Sequence, residues 1–205
     1  FSNNVELGFL RRLPTGSLFG AVYYRHTAGV TERIQRVNPD GTSITRPENL
    51  ATSDNLGVEL SANHRLYNWL NLNADLNLFY EFVDGGSAFS DLRAETFAWF
   101  TRATAKFEVS ERTEGQIRVN YRAPRQTTQG RDRAIWQMDL AASHKILRGN
   151  GALTLSIRDL FNTRIRRSIV RGENFVRENL FQWQGRGANL TFSYRLDRKE
   201  VPKIM

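Results

Sequence analysis

The chain holds no cysteine. Disulfides, thiolate metal sites and a cysteine nucleophile are thereby excluded, and no oxidising compartment is required. No stretch approaches the roughly 18 consecutive apolar residues of a transmembrane helix, and mean hydropathy is −0.50. A β-barrel remains open, because its strands alternate apolar and polar groups and average out as soluble. Proline is scarce, 5 residues in 205. All of them (Pro14, Pro39, Pro47, Pro124 and Pro202) fall between the segments that read as strands, as sheet ladders require. The opening FSNNVELGFL lacks a basic stretch followed by an apolar one, so the chain reads as a mature segment or a fragment.

Catalytic patterns are also missing. His26, His64 and His144 are scattered, with no HExxH spacing, and no GxSxG occurs. Asp40, Asp84 and Asp91 do not form a calcium-loop pattern. Asp75 and Glu81 share a strand face but lie about 20 Å apart along it, too far for an acid–base pair. No enzyme activity, metal or cofactor is expected. Net charge is +8 with a pI near 10.3. The arginines and lysines are spread over turns, loops and polar strand faces, so nucleic acid is not expected as a partner.

What the chain does have is period-two alternation. In Ala134 to Leu160, Trp136, Met138, Leu140 and Ala142 oppose Gln137, Asp139, Ser143 and Lys145. After Arg148-Gly149-Asn150-Gly151, where two glycines and an Asn suit positive φ, Leu153, Leu155 and Ile157 oppose Thr154, Ser156 and Arg158. This is a strand period, not a helical one. The same alternation recurs over Val5–Leu13, Asn55–Arg65, Leu70–Phe82, Glu95–Val109, Gln116–Ala123 and Asn189–Leu196. Leu18–His26 is a strand with apolar groups on both faces. The strand after Gly151 is expected to continue past Asn162 towards Val170. The total is about nine antiparallel strands.

The connections alternate in length. Pro14–Ser17, Tyr67–Trp69, Ser110–Glu114 and Arg148–Gly151 are short. Thr27–Ser53, Val83–Leu92, Pro124–Arg133 and Gly172–Gly185 are long. Outer-membrane barrels sort their connections this way, with short periplasmic turns and long extracellular loops. One face of the strands is nearly free of charge. The other carries Arg102, Lys106, Arg118, Arg122, Lys145, Arg158 and Arg195 with Glu59, Asp75, Glu81, Glu108 and Asp139, which suits a hydrated or plugged lumen. Trp69 marks the short-turn end of the apolar face, and Tyr80, Phe82, Trp99, Tyr121 and Trp136 mark the other, like interfacial girdles.

The segments VNYRAPRQTTQGRDRAIWQMDLAASHKIL, GNGALTLSIRDLFNTR and FQWQGRGANLTFSYRL, in that order, resemble the C-terminal end of a TonB-dependent outer-membrane receptor of the β-barrel type common in Bacteroidota. NLGVELSANHRLYNWLNLNADLNLFYEF is similar to the same family. Asp159-Leu160-Phe161-Asn162 resembles its "NLFD"-like motif, and Gly185-Arg186 its entry to the final strand. One departure is the end: Leu196 closes the last strand where relatives often carry an aromatic.

The resemblance implies an all-β, antiparallel transmembrane barrel segment, part of a barrel of about 22 strands with a plugged lumen, in the bacterial outer membrane. Residues 1–196 would be the barrel portion and 197–205 a polar tail. The implied partners are the remaining barrel and plug, the TonB energy complex, outer-membrane lipid or lipopolysaccharide, and a surface lipoprotein. Ligand contacts are expected from the long connections, at Arg46, Arg125, Arg131, Arg133, Phe181 and Trp183. Two alternatives remain: a soluble β-sandwich that binds glycan, and a purely structural barrel subunit.

Overall fold

The computed structural model describes residues 1–196, so the tail expected at 197–205 lies outside the described residues. The chain is almost entirely strand. In order these are β1 (Ser2–Leu13), β2 (Gly16–Val37), β3 (Ser43–Tyr67), β4 (Leu70–Asp84), β5 (Arg93–Ser110), β6 (Thr113–Arg122), β7 (Arg125–Thr127), β8 (Gly130–Asp132), β9 (Ile135–Ile146), β10 (Gly151–Arg158), β11 (Arg166–Gly172), β12 (Phe175–Phe181) and β13 (Gly187–Tyr194). They form two antiparallel sheets. The larger is a 9-stranded sheet ordered β1-β2-β3-β4-β5-β6-β9-β10-β13, and the smaller is a 4-stranded sheet ordered β12-β11-β8-β7.

The register aligns the apolar positions into rows across the large sheet. Leu7 pairs with Val22, Val22 with Val58, Val58 with Leu78, and Leu78 with Trp99. Further along, Ala105 pairs with Ile117, Ile117 with Leu140, and Leu140 with Ile157. A one-residue slip at any pairing would turn that strand's apolar set to the polar face. The apolar face is not packed against anything: Leu7 is 81% exposed, Phe9 71%, Phe97 64% and Leu190 67%. A soluble sandwich would cover this face with a second sheet. Here the small sheet stands at the long-connection end instead, where β7 contacts β5 and β11 contacts β2.

Several expectations are corrected. The segment Thr27–Ser53 is not a loop. β2 and β3 run on as one hairpin to a turn at Asn38–Thr42, since the register that pairs Ala28 with Thr52 resumes at Val30 and Leu50, past Gly29 and Ala51, and carries on to Val37 and Ser43. Pro47 therefore lies inside a strand, opposite Arg33. It is tolerated because β4 ends opposite Thr52, leaving this part of β3 at the sheet's edge, where a missing N–H costs no second ladder bond. The strand after Gly151 stops at Arg158 rather than continuing towards Val170, because Asp159 takes φ 50. The connections at Pro124–Arg133 and Gly172–Gly185 contain β7, β8 and β12. In the Arg148–Gly151 turn, positive φ falls on Leu147, Arg148 and Gly149, while Asn150 is right-handed at φ −78.

Leu18–His26 is resolved by its neighbours. Leu18, Val22 and Tyr24 are exposed on the apolar face. Tyr23 is inward, its hydroxyl donating to Asn77 Oδ1 at 3.3 Å. Gly29 then reverses the facing of β2. It sits at φ 68, a conformation that favours glycine. Before it, odd-numbered Ala21 and Tyr23 face inward; after it, Glu32 and Ile34 do.

Candidate functional site

The polar face is a layer of side-chain ladders. Asn77 Nδ2 donates to Glu59 Oε1 at 2.8 Å, Ser61 Oγ to Asp75 at 2.8 Å, Asn63 to Asn73 at 2.6 Å, and Arg102 Nε to Asn120 at 3.0 Å. These groups bond one another across strands and leave the rest of their capacity for water or for a polar occupant.

At the long-connection end this face is roofed by the loops. Arg125 on β7 reaches Glu81 on β4, with Nη1 3.5 Å from Oε2. Thr128 Oγ1 donates to Glu32 at 2.6 Å. The Gln129 side-chain amide pairs with the backbone of Gln35 in both directions: Gln35 N–H donates to Oε1 at 2.8 Å, and Nε2 donates to the Gln35 carbonyl at 2.9 Å. Gln129 thus takes the place of a neighbouring strand on the otherwise bare edge of β2. Asn174 Nδ2 donates to the Val37 carbonyl at 3.0 Å, and Gln126 N–H to Thr96 Oγ1 at 3.1 Å. Beneath the roof lies an apolar cluster of Ile34, Leu50, Val83, Leu92 and Ala94, with Val30 and Phe89 against it. In the hairpin turn, Asp40 accepts from the Thr42 hydroxyl at 2.6 Å and its N–H at 2.9 Å. These bonds hold its carboxyl below the ordinary carboxylate range.

The expected ligand-facing residues do not converge on one place. Arg46 is exposed on the projecting hairpin, opposite Ile34. Arg125 is inward, at Glu81. Arg131 and Arg133 line a cleft of about 610 Å³ with Trp136, Ile165, Arg167 and Ile169. Trp136 belongs to the apolar face, opposite Tyr121, so this cleft opens on the outer wall. Phe181 ends β12, its ring 6.2 Å from that of Trp183, which is 76% exposed. Sequence reading missed Thr128, Gln129, Glu32 and Arg167. None sits in a motif, and only the fold of the loops brings them to the site.

The aromatic girdles are in place. Tyr67 and Trp69 stack at 5.6 Å beside a short turn. At the other end Trp99 lies 4.5 Å from Tyr121, and Trp136 lies 5.5 Å from Phe161. Above this second girdle the apolar face turns polar: Asp54 accepts from Tyr24 Oη at 2.6 Å and pairs with His26 Nδ1 at 2.8 Å. The apolar run from Phe97 to Phe107 on β5 matches the roughly 9–11 residues a tilted strand needs to cross the hydrocarbon.

Asp159-Leu160-Phe161-Asn162 is a folding hub. Asp159 is fully buried. Its N–H donates to Asp139 at 2.9 Å, and its carboxylate accepts from Thr163 N–H at 2.9 Å and Arg164 N–H at 3.1 Å. Asn162 Oδ1 accepts from Gln182 at 2.8 Å and from Arg186 N–H at 3.0 Å. One four-residue turn thereby ends β10, seats Phe161 in the girdle and fixes the start of β13.

No group of three or more His, Asp or Glu placed to hold a metal occurs among the described residues. An open apolar face of membrane-spanning width, two aromatic girdles, a charged inner face and sorted connections define an outer-membrane β-barrel protein. The chain belongs to the outer membrane protein beta-barrel family, whose model matches residues 1–194, and its place is the bacterial outer membrane. No curated protein and no solved structure matched the chain.

Proposed function

We propose that this chain is the C-terminal barrel portion of a TonB-dependent transporter, importing a nutrient through a plugged lumen. The observation that carries the reading is the inward-folded roof: Arg125 on Glu81, Thr128 on Glu32 and Gln129 on Gln35. Loops that only shielded a barrel would have no need to send charged and amide groups onto its polar face. The outer edges of β1 and β13 have no partner strand among the described residues. Lipid does not tolerate unpaired backbone, so further strands close the sheet, in a barrel of about 22 strands. A plug fills the lumen, its polar surface meeting the ladder of Glu59, Asp75 and Arg102. The inner-membrane energy complex acts on that plug, a surface lipoprotein can lid the entrance, and the barrel itself carries no catalysis.

Arg125 and Trp183 are the ligand contacts to test. In cells dependent on the transported nutrient, Arg125→Ala and Trp183→Ala are expected to cut uptake about 10-fold while heat-modifiable barrel yield is unchanged, and loss of TonB to abolish it. Uptake unaffected by both substitutions and by loss of TonB would favour the structural-subunit reading instead.

A further inference from the structure

The cleft on the outer wall carries more positive charge than the fold itself can use. Arg131 on β8 and Arg133 just past its end stand two residues apart and line the same cleft. Arg133 N–H donates to the Arg167 carbonyl at 2.9 Å, continuing the register in which Asp132 faces Ser168 and Arg131 faces Ile169. Arg133 and Arg167 are thus directly opposed, and like charges in that position are destabilising. Two carboxylates share the outer face: Glu95, which lines the depression beside Arg131 and accepts from the Tyr80 hydroxyl, and Glu178, opposite Ile169. Glu178 lies 3.9 Å from Arg133, with side chains 75% and 54% exposed respectively, a pair too solvated to hold the cluster together. Arg131 and Arg167 have no ion-pair partner among the described residues.

The floor of the cleft is apolar. Trp136 and Ile165 line it. A neighbouring depression shares Arg131 and Pro124 and adds Phe97 and Trp99, both on the face that meets the hydrocarbon. The other polar groups beside the cleft are already engaged: the Thr163 hydroxyl donates to the Trp136 carbonyl at 2.8 Å, and Asn162 is held by Gln182 and Arg186. Three guanidiniums that share one solvated ion pair, at head-group depth and directly above aromatics that border the acyl region, fit a ligand with anionic groups on top and acyl chains below.

We infer that Arg131, Arg133 and Arg167 form a binding site on the outer wall for a phosphorylated glycolipid of the outer leaflet. The phosphates bridge the opposed arginines with bidentate hydrogen bonds, and the acyl chains run down past Trp136 and Trp99. The inference rests on the orientation in the proposed function, with the long connections outward.

The test uses the complete detergent-solubilised protein and native mass spectrometry with bis-phosphorylated lipid A. Wild type is expected to retain the lipid. Combined Arg131→Ala, Arg133→Ala and Arg167→Ala should weaken retention at least 10-fold. Removing three arginines at the short-turn end (Arg11→Ala, Arg12→Ala and Arg112→Ala) should not. Dephosphorylated lipid A should bind wild type as weakly as intact lipid binds the cleft variant. Equal retention by both triple variants, equal binding of the dephosphorylated lipid, or full competition by equimolar inorganic phosphate overturns the site. Orientation is read separately, by labelling Asp40→Cys in whole cells with an impermeant thiol reagent against the unsubstituted protein. Failure to label overturns the orientation and this inference together. Labelling without lipid selectivity overturns the lipid site alone.

Discussion

Single residues set the close contacts of the sheet. A Cβ on Gly57 would stand 2.4 Å from the ring of Tyr23, and one on Gly115 2.2 Å from the ring of Phe107. Each aromatic ring covers a glycine directly opposite it on the neighbouring strand, so the ring replaces the missing side chain. Gly57→Ala is expected to swing Tyr23 off Asn77 and lower stability by about 1–3 kcal/mol, the usual cost of overpacking. The shift of the urea midpoint in detergent measures it. An unchanged midpoint would mean that Tyr23 is free to move.

At the scale of elements, two turns do unequal work. The Pro14–Thr15 turn is bounded by β1 and β2 pairing from Leu13–Gly16 outward, so the strands themselves hold it. The turn at Asp159 must be held by its own side chain, which is fully buried and accepts two backbone N–H groups. Asp159→Ala leaves those donors unpaired, at a cost of about 1–3 kcal/mol each. Asp159→Asn keeps one acceptor and also tolerates the left-handed backbone. The expected order of thermal unfolding temperature is wild type, then Asn, then Ala. Equal values for the two variants would remove the capping role. The β2–β3 hairpin is the other decisive element. β2 has 22 residues, about 70 Å of strand at ~3.3 Å per residue, far more than the bilayer needs. Its outer half therefore stands above the membrane, with its facing reversed at Gly29.

At the scale of the molecule, the sheet is open at β1 and β13 while its apolar face demands a bilayer. In the proposed transporter both demands are met by closure with further strands. The unheated particle extracted in detergent is then expected to run well above the 23.6 kDa of this chain and to release additional barrel and plug sequence on heating. A closed particle of this chain alone would overturn the proposal.

Period-two alternation was enough to find most of the strands that cross the membrane, because one apolar and one polar face is a one-dimensional pattern. Leu72, Ala74, Leu76 and Leu78 declare their side without any knowledge of neighbours. The outer half of the β2–β3 hairpin was not legible for the same reason. Val30, Glu32 and Ile34 face a roof of loops rather than lipid, so polar and apolar groups mix on one side and the segment reads as loop. β7, β8, β11 and β12 were hidden because they pair with one another far from the apolar band, and nothing in their composition sets an inside and an outside.

The sequence by itself determined the all-β class, the two faces, the girdles and the sorting of short turns from long connections, since all follow from local spacing. Only the tertiary structure decided where the long connections go. It placed Arg125 on the inner face and Arg131 and Arg133 on the outer wall, though they are close neighbours in the chain. The reason is that β7 and β8 form a hairpin whose two faces point to different solvents, and which face a side chain takes depends on partners distant in sequence: Glu81 and Gln35 on one side, Arg167 and Trp136 on the other.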